Sequence, residues 1–138
     1  RLDNFHLAIR HYLNSEIAFR PQIYGTSPKR ILELGCGSGA WALDAATTFP
    51  DAEVVAIDSS PTLKGMALPK NMHFQMLDVM QDLPFKQSSF DVADTVWQVT
   101  NAQDVPERAA RLVKPGGWLV VEDLNLQRII DTRGPVVS

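Results

Sequence analysis

Three glycines at alternate positions, Gly35, Gly37 and Gly39, form the stretch with the clearest chemical meaning, and a carboxylate, Glu33, precedes them. A residue without Cβ lets the backbone adopt a positive φ and lets a ligand approach the main chain closely. A simple tight turn usually needs only one such residue. The spacing therefore predicts a loop that binds a ligand against its backbone, directly after the strand that carries Glu33.

Two classes of ligand fit this loop. Gly35, Gly37 and Ala40 satisfy the G-x-G-x-x-G/A pattern of dinucleotide binding, and Asp58 follows at about the spacing of an acid that bonds a ribose. An oxidoreductase that uses a nicotinamide or a flavin is therefore an open alternative, although no Tyr-x-x-x-Lys set for hydride transfer is recognisable. Glu33 favours the other class, because a carboxylate inside the strand repels a pyrophosphate and attracts a cation, such as a sulfonium with an ammonium group.

The elements that would position these residues alternate along the chain. Short apolar runs bounded by Gly, Pro or Asp predict strands, and apolar residues at steps of three and four predict amphipathic helices. Such alternation with short loops predicts an α/β fold, a Rossmann-like, doubly wound, mostly parallel sheet with helices on both faces. The predicted strands cover 30–34, 53–58, 72–77, 90–96 and 117–122, and the predicted helices cover 4–20, 40–49 and 105–113, with a short helix opening at 59–61.

With these elements in place, the sequence closely resembles the class I S-adenosylmethionine-dependent methyltransferase superfamily, in particular its small-molecule and fungal secondary-metabolism members. The resemblance spans about residues 28–123 and depends on separate motifs that occur in the right order. Any one of these motifs is weak evidence for the family, and their occurrence together is strong evidence. They are residues 31–39 (ILELGCGSG), 55–58 (VAID), 74–79 (FQMLDV), and the segments 83–92 and 112–117 that flank strand four and strand five.

The resemblance implies a role for each matching position, with S-adenosylmethionine as the cofactor. Glu33 and the glycine loop surround its methionine part, Asp58 bonds the ribose hydroxyls, and Asp78 accepts a hydrogen bond from the adenine amino group. Trp97 lies between cofactor and acceptor, or only packs a loop. Taken alone, Asp58 and Asp78 fit equally well as caps of a helix or a turn. The predicted cofactor-binding residues are Glu33, Gly35, Cys36, Gly37, Gly39, Asp58, Ser59, Asp78, Val79 and Trp97.

The acceptor is predicted only as a class, a small molecule methylated on an O, N or C atom by in-line displacement. A general base is optional, and no catalytic residue is assigned. His6, His11 and Tyr12 lie in the opening helix, which covers the cofactor in similar enzymes, whereas His73 falls inside a strand and fits a structural role. No Asn-Pro-Pro-Tyr-like segment follows strand four and no acid cluster suggests magnesium, so this resemblance favours neither nucleic-acid amino groups nor catechols.

Composition narrows the partners of this chain of 138 residues, which is sized for one domain. A net charge of -3 provides no basic surface for nucleic acid, and no apolar run is long enough to span a membrane. The single cysteine, Cys36, cannot form an internal disulfide, and no Cys/His cluster has metal-ligand spacing. We therefore expect a cytoplasmic protein without bound metal.

The predicted division is an N-terminal helix and loop on the substrate side (1–27), a cofactor-binding core (28–123) and a short C-terminal tail (124–138). Similar proteins end in a helix and an antiparallel pair, and these C-terminal strands are expected to be missing, with at most one or two helical turns near residues 126–130. A homodimer, a partner or a further segment would then complete the sheet, because an open edge is a liability. A non-catalytic, methyltransferase-like interaction module is the second functional hypothesis.

Overall fold

The computed structural model describes residues 27–96, 105–122, 127–131 and 136–137, which form seven strands and two helices. The predicted opening helix and Trp97 lie outside these residues. In chain order the elements are β1 (Arg30–Leu34), α1 (Ala40–Thr48), β2 (Glu53–Asp58), β3 (Met72–Met76), β4 (Phe90–Val96), α2 (Val105–Leu112), β5 (Val113–Glu122), β6 (Gln127–Asp131) and β7 (Val136–Val137).

One sheet contains all seven strands, in the order β3-β2-β1-β4-β5-β6-β7. The five strands from β1 to β5 are parallel, and β6 and β7 are antiparallel to their neighbours. The predicted α/β fold with a mostly parallel sheet is thus confirmed. Because the order reverses at β1, the loops after β1 and β4 diverge there, and this switch point is where open α/β sheets bind ligands.

The two helices cover opposite faces of the sheet, as predicted. Alternate residues of the central strands pack on different sides, which is the pattern expected when both faces of a parallel sheet are buried. On one side, the buried residues Trp41, Ala42, Ala45 and Ala46 of α1 pack with Ile31, Val54, Ala56, Val92 and Val120. On the other side, Ala109 and Leu112 of α2 pack with Leu32, Val55, Ile57, Ala93 and Leu119.

The C-terminal end of α1 is closed by a side chain from the segment before β3. Asn71 Nδ2 donates hydrogen bonds to the carbonyl oxygens of Ala46, Phe49 and Ala52, at 3.1, 3.3 and 2.9 Å. Carbonyls at a helix end have no partner within the helix, so an amide from elsewhere must satisfy them. These hydrogen bonds fix α1 relative to β2 and β3. They thereby help to fix the glycine loop, which lies at the other end of α1.

The prediction of a short helix after β2 is wrong, since residues 59–71 contain no helix. Residues 61–66 form successive turns instead. The amide of Lys64 donates to the carbonyl oxygen of Pro61, and the amide of Met66 donates to that of Leu63. Gly65 has a φ of 78°, which ends any helical continuation. Proline and serine start a turn as readily as a helix, so the local signal was ambiguous.

The fifth strand also begins earlier than predicted. Val113 already pairs with Phe90, and Trp118 pairs with Val92, so five steps along β5 face two steps along β4. The extra residues form a bulge that contains Lys114, Pro115 and Gly116, which the sequence placed before the strand. Gly117 closes this bulge against β4, where a Cβ would lie 2.5 Å from the carbonyl oxygen of Asp91.

The prediction for the tail needs a correction. Residues 127–131 form β6 rather than helical turns, and β6 pairs along β5 from Trp118 to Glu122. The two-residue strand β7 then pairs with Ile129 and Ile130. An antiparallel pair therefore does follow β5, where the C-terminal strands were expected to be missing, and it covers the edge that would otherwise be open. Adjacent β-branched residues fit a strand better than a helix.

Candidate functional site

The glycine loop joins β1 to α1 and is folded over the end of β2. The backbone amides of Gly35 and Cys36 both donate to the carbonyl oxygen of Ile57, at 2.9 and 2.8 Å. Gly35 and Gly37 have φ values of 75° and 55°, and among the described residues no atom lies within 4 Å of a Cβ placed on either. The backbone therefore needs glycine for its conformation, and the face on which side chains would stand is open to a ligand.

Gly39 has a different task in the same loop. It is the N-cap of α1 with a φ of 84°, and a Cβ there would lie 2.8 Å from Cδ1 of Leu63. No cap hydrogen bond comes from Gly39 itself, because it has no side chain. The third glycine is thus required by packing against the turn after β2 as well as by its backbone conformation.

Glu33, in the strand that precedes α1, supplies part of the N-terminal cap that Gly39 lacks. Its side chain is only 3% exposed, and Oε1 accepts a hydrogen bond of 3.2 Å from the amide of Ala42 in the first turn of α1. A helix N-terminus has unpaired amides and a partial positive charge, and a carboxylate stabilises both. Because Glu33 already supplies negative charge here, the start of α1 is poorly suited to a pyrophosphate, which supports the argument made from the sequence.

Asp58, the last residue of β2, holds the glycine loop directly. Oδ2 accepts a hydrogen bond from the amide of Gly37 at 2.9 Å, and Oδ1 accepts one from the amide of Ser60, also at 2.9 Å. Its carbonyl oxygen accepts from the amide of Leu77 at 2.9 Å, which ties the end of β3 to the end of β2. The helix that Asp58 could have capped is not formed, and the carboxylate instead caps the turn after β2 while it holds the glycine loop. Each oxygen keeps a further lone pair for a ligand.

Asp78 and Val79 follow β3 on the same edge of the sheet. Asp78 is exposed, and Oδ1 accepts a hydrogen bond of 2.9 Å from the amide of Met80. The amide of Gln81 donates to the carbonyl oxygen of Asp78 at 3.0 Å, so residues 78–81 form a turn. Val79 is half-buried against the cluster beneath α2. The turn leaves the second carboxylate oxygen of Asp78 available at the surface for a ligand.

The structure thus brings together most of the predicted site residues at the carboxyl ends of β1, β2 and β3. Ser59 is exposed immediately after Asp58. Among the other candidates, Trp97 and the residues of the opening helix, His6, His11 and Tyr12, lie outside the described residues. His73 is exposed inside β3, with Nε2 3.9 Å from Oε2 of Glu53 at the far end of β2. This position, away from the carboxyl edge, fits a structural role.

Asp94 is a residue that sequence reasoning missed. It is fully buried in β4 and lies directly opposite Glu33 in the β1–β4 register, on the same face of the sheet. The available signal was a second carboxylate inside an otherwise apolar strand, three residues after Asp91. With Glu33 and Asp58, it places three carboxyl groups around the glycine loop, a set that suits a cationic ligand better than an anionic one.

Cys36 lies inside this acidic surrounding and is buried. Burial and the negative charges of Glu33 and Asp58 raise the pKa of its thiol to about 12, against a smaller opposing effect from a hydrogen bond with Thr62. The thiol is therefore neutral at physiological pH and has no role as a nucleophile, which requires the thiolate. A small neutral side chain here leaves the backbone of the loop accessible.

A pocket of about 170 Å³ lies elsewhere, at the amino-terminal end of β4, and its lining includes Asp91, Lys114 and Trp118. Since β1 and β4 run parallel, this pocket is at the opposite end of the sheet from the glycine loop and is no part of the site. Across the described ranges, no three His, Cys, Asp or Glu side chains come together as metal ligands. Neither of the two described helices has the length and apolar character to cross a membrane.

Comparison with known proteins agrees with this geometry. The chain belongs to the methyltransferase domain family, whose match extends over residues 6–135. The resemblance to class I S-adenosylmethionine-dependent methyltransferases, with relatives in fungal secondary metabolism, is thereby confirmed.

Two relatives and one solved structure illustrate the match. The methyltransferase str3 of Strobilurus tenacellus is 44% identical over 128 residues, which are 91% of this chain and 45% of that protein. The secondary metabolism regulator laeA of Monascus pilosus is 30% identical over 139 residues, covering 96% and 36% of the two. The plantazolicin methyltransferase BpumL, solved with a monoazolic desmethylPZN analog and SAH, has a TM-score of 0.64 at 19% identity, covering 75% of this chain and 42% of BpumL. The chain thus spans less than half the length of each.

Proposed function

We propose that the chain forms the cofactor-binding part of an S-adenosylmethionine-dependent methyltransferase that acts on a small molecule. The observation that carries this proposal is the glycine loop, open on the face where Cβ atoms would stand and hydrogen-bonded through Gly37 to Asp58. It lies beside the buried carboxylates of Glu33 and Asp94. An acidic loop whose glycines leave the backbone exposed suits a sulfonium ligand and does not suit a pyrophosphate.

Each predicted residue has a proposed contact with the ligand. Glu33 and residues 35–39, including Cys36, surround the methionine part, where the acidic character stabilises the ammonium and sulfonium charges. Asp58 and Ser59 bind the ribose, through the carboxylate lone pairs that the protein leaves available. Asp78 and Val79 bind the adenine, by one hydrogen bond and one apolar contact. Trp97 is proposed to lie between cofactor and acceptor.

The chemistry needed from the protein is mainly positioning. S-adenosylmethionine supplies a methyl group on a good leaving group, and the acceptor atom attacks that carbon in line with the carbon–sulfur bond. Rigid orientation of two reactants supplies much of the rate in such a reaction. Asp58 holds the glycine loop at Gly37, and Glu33 holds the first turn of α1 that follows the loop, so this part of the site is ordered before ligand arrives. No residue is assigned as a general base.

The acceptor is proposed to be a small molecule that is methylated on an O, N or C atom. The likeness to str3, which is named a methyltransferase, supports methyl transfer as the reaction. β6 already pairs with β5 at the edge where a homodimer was expected to complete the sheet. The homodimer therefore stays a prediction, and the sheet does not require it. A cytoplasmic location is supported only by the single, unpaired cysteine.

A non-catalytic interaction module is the second candidate, because a relative is named a regulator of secondary metabolism. Such a module would bind S-adenosylmethionine without transferring its methyl group. The two candidates differ in turnover on small-molecule acceptors, which is measured by formation of S-adenosylhomocysteine.

The proposal is tested by calorimetric titration of the chain with S-adenosylmethionine, S-adenosylhomocysteine and, in parallel, NADH. We expect the first two to bind and Asp58→Ala to weaken both at least tenfold. Asp51→Ala is the matched control, since Asp51 is an exposed carboxylate just before β2, at the opposite end of that strand. Binding of NADH alone, or equal affinities in the two variants, would contradict the proposal.

A further inference from the structure

A cation on α2 makes a contact that neither the sequence motifs nor the family match explains. The guanidinium of Arg108 donates from Nη1 to the carbonyl oxygen of Val79 at 2.7 Å, and from Nη2 to the carbonyl oxygen of Gln81. Arg108 is half-buried, and 29 residues separate it from Val79. Two parallel hydrogen bonds from one planar group hold a backbone segment in a defined orientation.

The segment held in this way is the turn that carries the proposed adenine contacts. Residues 78–81 are closed from within by Asp78, whose side chain and carbonyl oxygen accept the amides of Met80 and Gln81. These two local bonds shape the turn but do not orient it relative to the sheet. Val79 packs on the cluster beneath α2, and within the described part of the chain Arg108 makes the polar contacts that fix the turn from outside.

We propose that Arg108 is a positioning residue for the cofactor: it orients the 78–81 turn so that the Asp78 carboxylate meets the adenine amino group. The inference deepens the proposed function and rests on it. Arg108 itself touches no ligand atom in this assignment. It acts through the two carbonyl oxygens, and its loss would leave Asp78 present but free to reorient with the turn.

The test compares affinities for two ligands that differ at the adenine edge that Asp78 is proposed to bind. S-adenosylhomocysteine carries an amino group there, and S-inosylhomocysteine carries a carbonyl oxygen with a proton on the adjacent ring nitrogen. We expect the wild-type chain to prefer the former at least tenfold, and Arg108→Met to lower this ratio at least threefold. Arg108→Lys should restore it only in part, because an ammonium cannot reproduce two parallel donors. Arg111→Met, an exposed arginine on the same helix, is the control.

A second readout needs no ligand. Amide hydrogen exchange at Met80 and Gln81 should accelerate in Arg108→Met and stay unchanged in Arg111→Met, since the turn is less ordered without its outer contact. Unchanged exchange together with an unchanged affinity ratio would overturn the positioning role. If the wild-type chain binds neither ligand, the proposed function fails, whereas the exchange rates still decide whether Arg108 orders the turn.

Discussion

Replacing Gly37 by alanine separates the backbone requirement of the glycine loop from its proposed contact with ligand. Gly37 has a φ of 55°, and no atom of the described residues lies within 4 Å of a Cβ placed there. An L-residue in this conformation costs about 1–2 kcal/mol, and no further cost from packing is expected in the free protein. For a domain of this size the melting temperature should fall by about 4–8 °C.

Gly65→Ala is the matched control for this variant. Gly65 has a φ of 78° and equally open surroundings, but it lies in the turns between β2 and β3. Both variants should therefore lose similar stability. Only Gly37→Ala places a methyl group where the ligand is proposed to approach the loop, and we expect its affinity for S-adenosylhomocysteine to fall at least about tenfold, or 1.4 kcal/mol.

Calorimetric titration and thermal melting of both variants provide the comparison. Equal affinities in Gly37→Ala and Gly65→Ala would mean that the open face of the loop has no contact with ligand. A much larger stability loss in Gly37→Ala than in the control would also contradict the prediction, since none of the described residues has an atom within 4 Å of the added methyl group.

Three further variants test the fold at the opposite end of the sheet from the glycine loop. Gly117→Ala should destabilise the chain by about 3 kcal/mol in chemical denaturation, because its Cβ would overlap the backbone oxygen of Asp91; a loss below about 1 kcal/mol would contradict the bulge geometry. Asp91→Asn should lower stability at pH 7. Burial acts to raise the pKa of this carboxyl, but two backbone amides and Lys114 outweigh it and hold the pKa below its usual 3.8. The carboxylate therefore stabilises the fold above pH 3.8, and the difference from wild type should shrink as the pH falls through the lowered pKa; a pH-independent difference would be the contrary result. Ser88→Gly should stabilise the chain by about 0.5 kcal/mol, because Ser88 has a φ of 55°, whereas Gln87→Gly should not.

The central sheet was predictable because its signals are local. Each strand from β1 to β4 is a short apolar run that ends in Gly, Asp or a polar loop, and the glycine spacing marks the switch point. The acids at 33, 58 and 78 follow from their places in those strands. Their hydrogen bonds to Ala42 and Gly37 do not, because each joins positions that only the folded sheet brings together.

The parts that the sequence missed depend on contacts over long separations. Residues 129 and 130 form an apolar pair too short to distinguish a helical turn from a strand, and the edge of β5 decides in favour of β6. Arg108 contacts carbonyl oxygens, which carry no residue identity, so no motif could point to it. Asp94 becomes visible as part of the site only when the register places it beside Glu33.

Asp58 shows why a structural and a functional interpretation need not compete at this kind of site. The carboxylate satisfies the amides of Gly37 and Ser60, as a cap would, and this use consumes one lone pair on each oxygen. The remaining lone pairs are held in a fixed direction, so the entropy of ordering the side chain and the loop is lost on folding and not on ligand binding. A ribose with two neighbouring hydroxyls would meet an acceptor that is already oriented. The capping bonds are therefore the physical means by which this residue would bind tightly, and the same bonds explain why its loss should lower stability and affinity together.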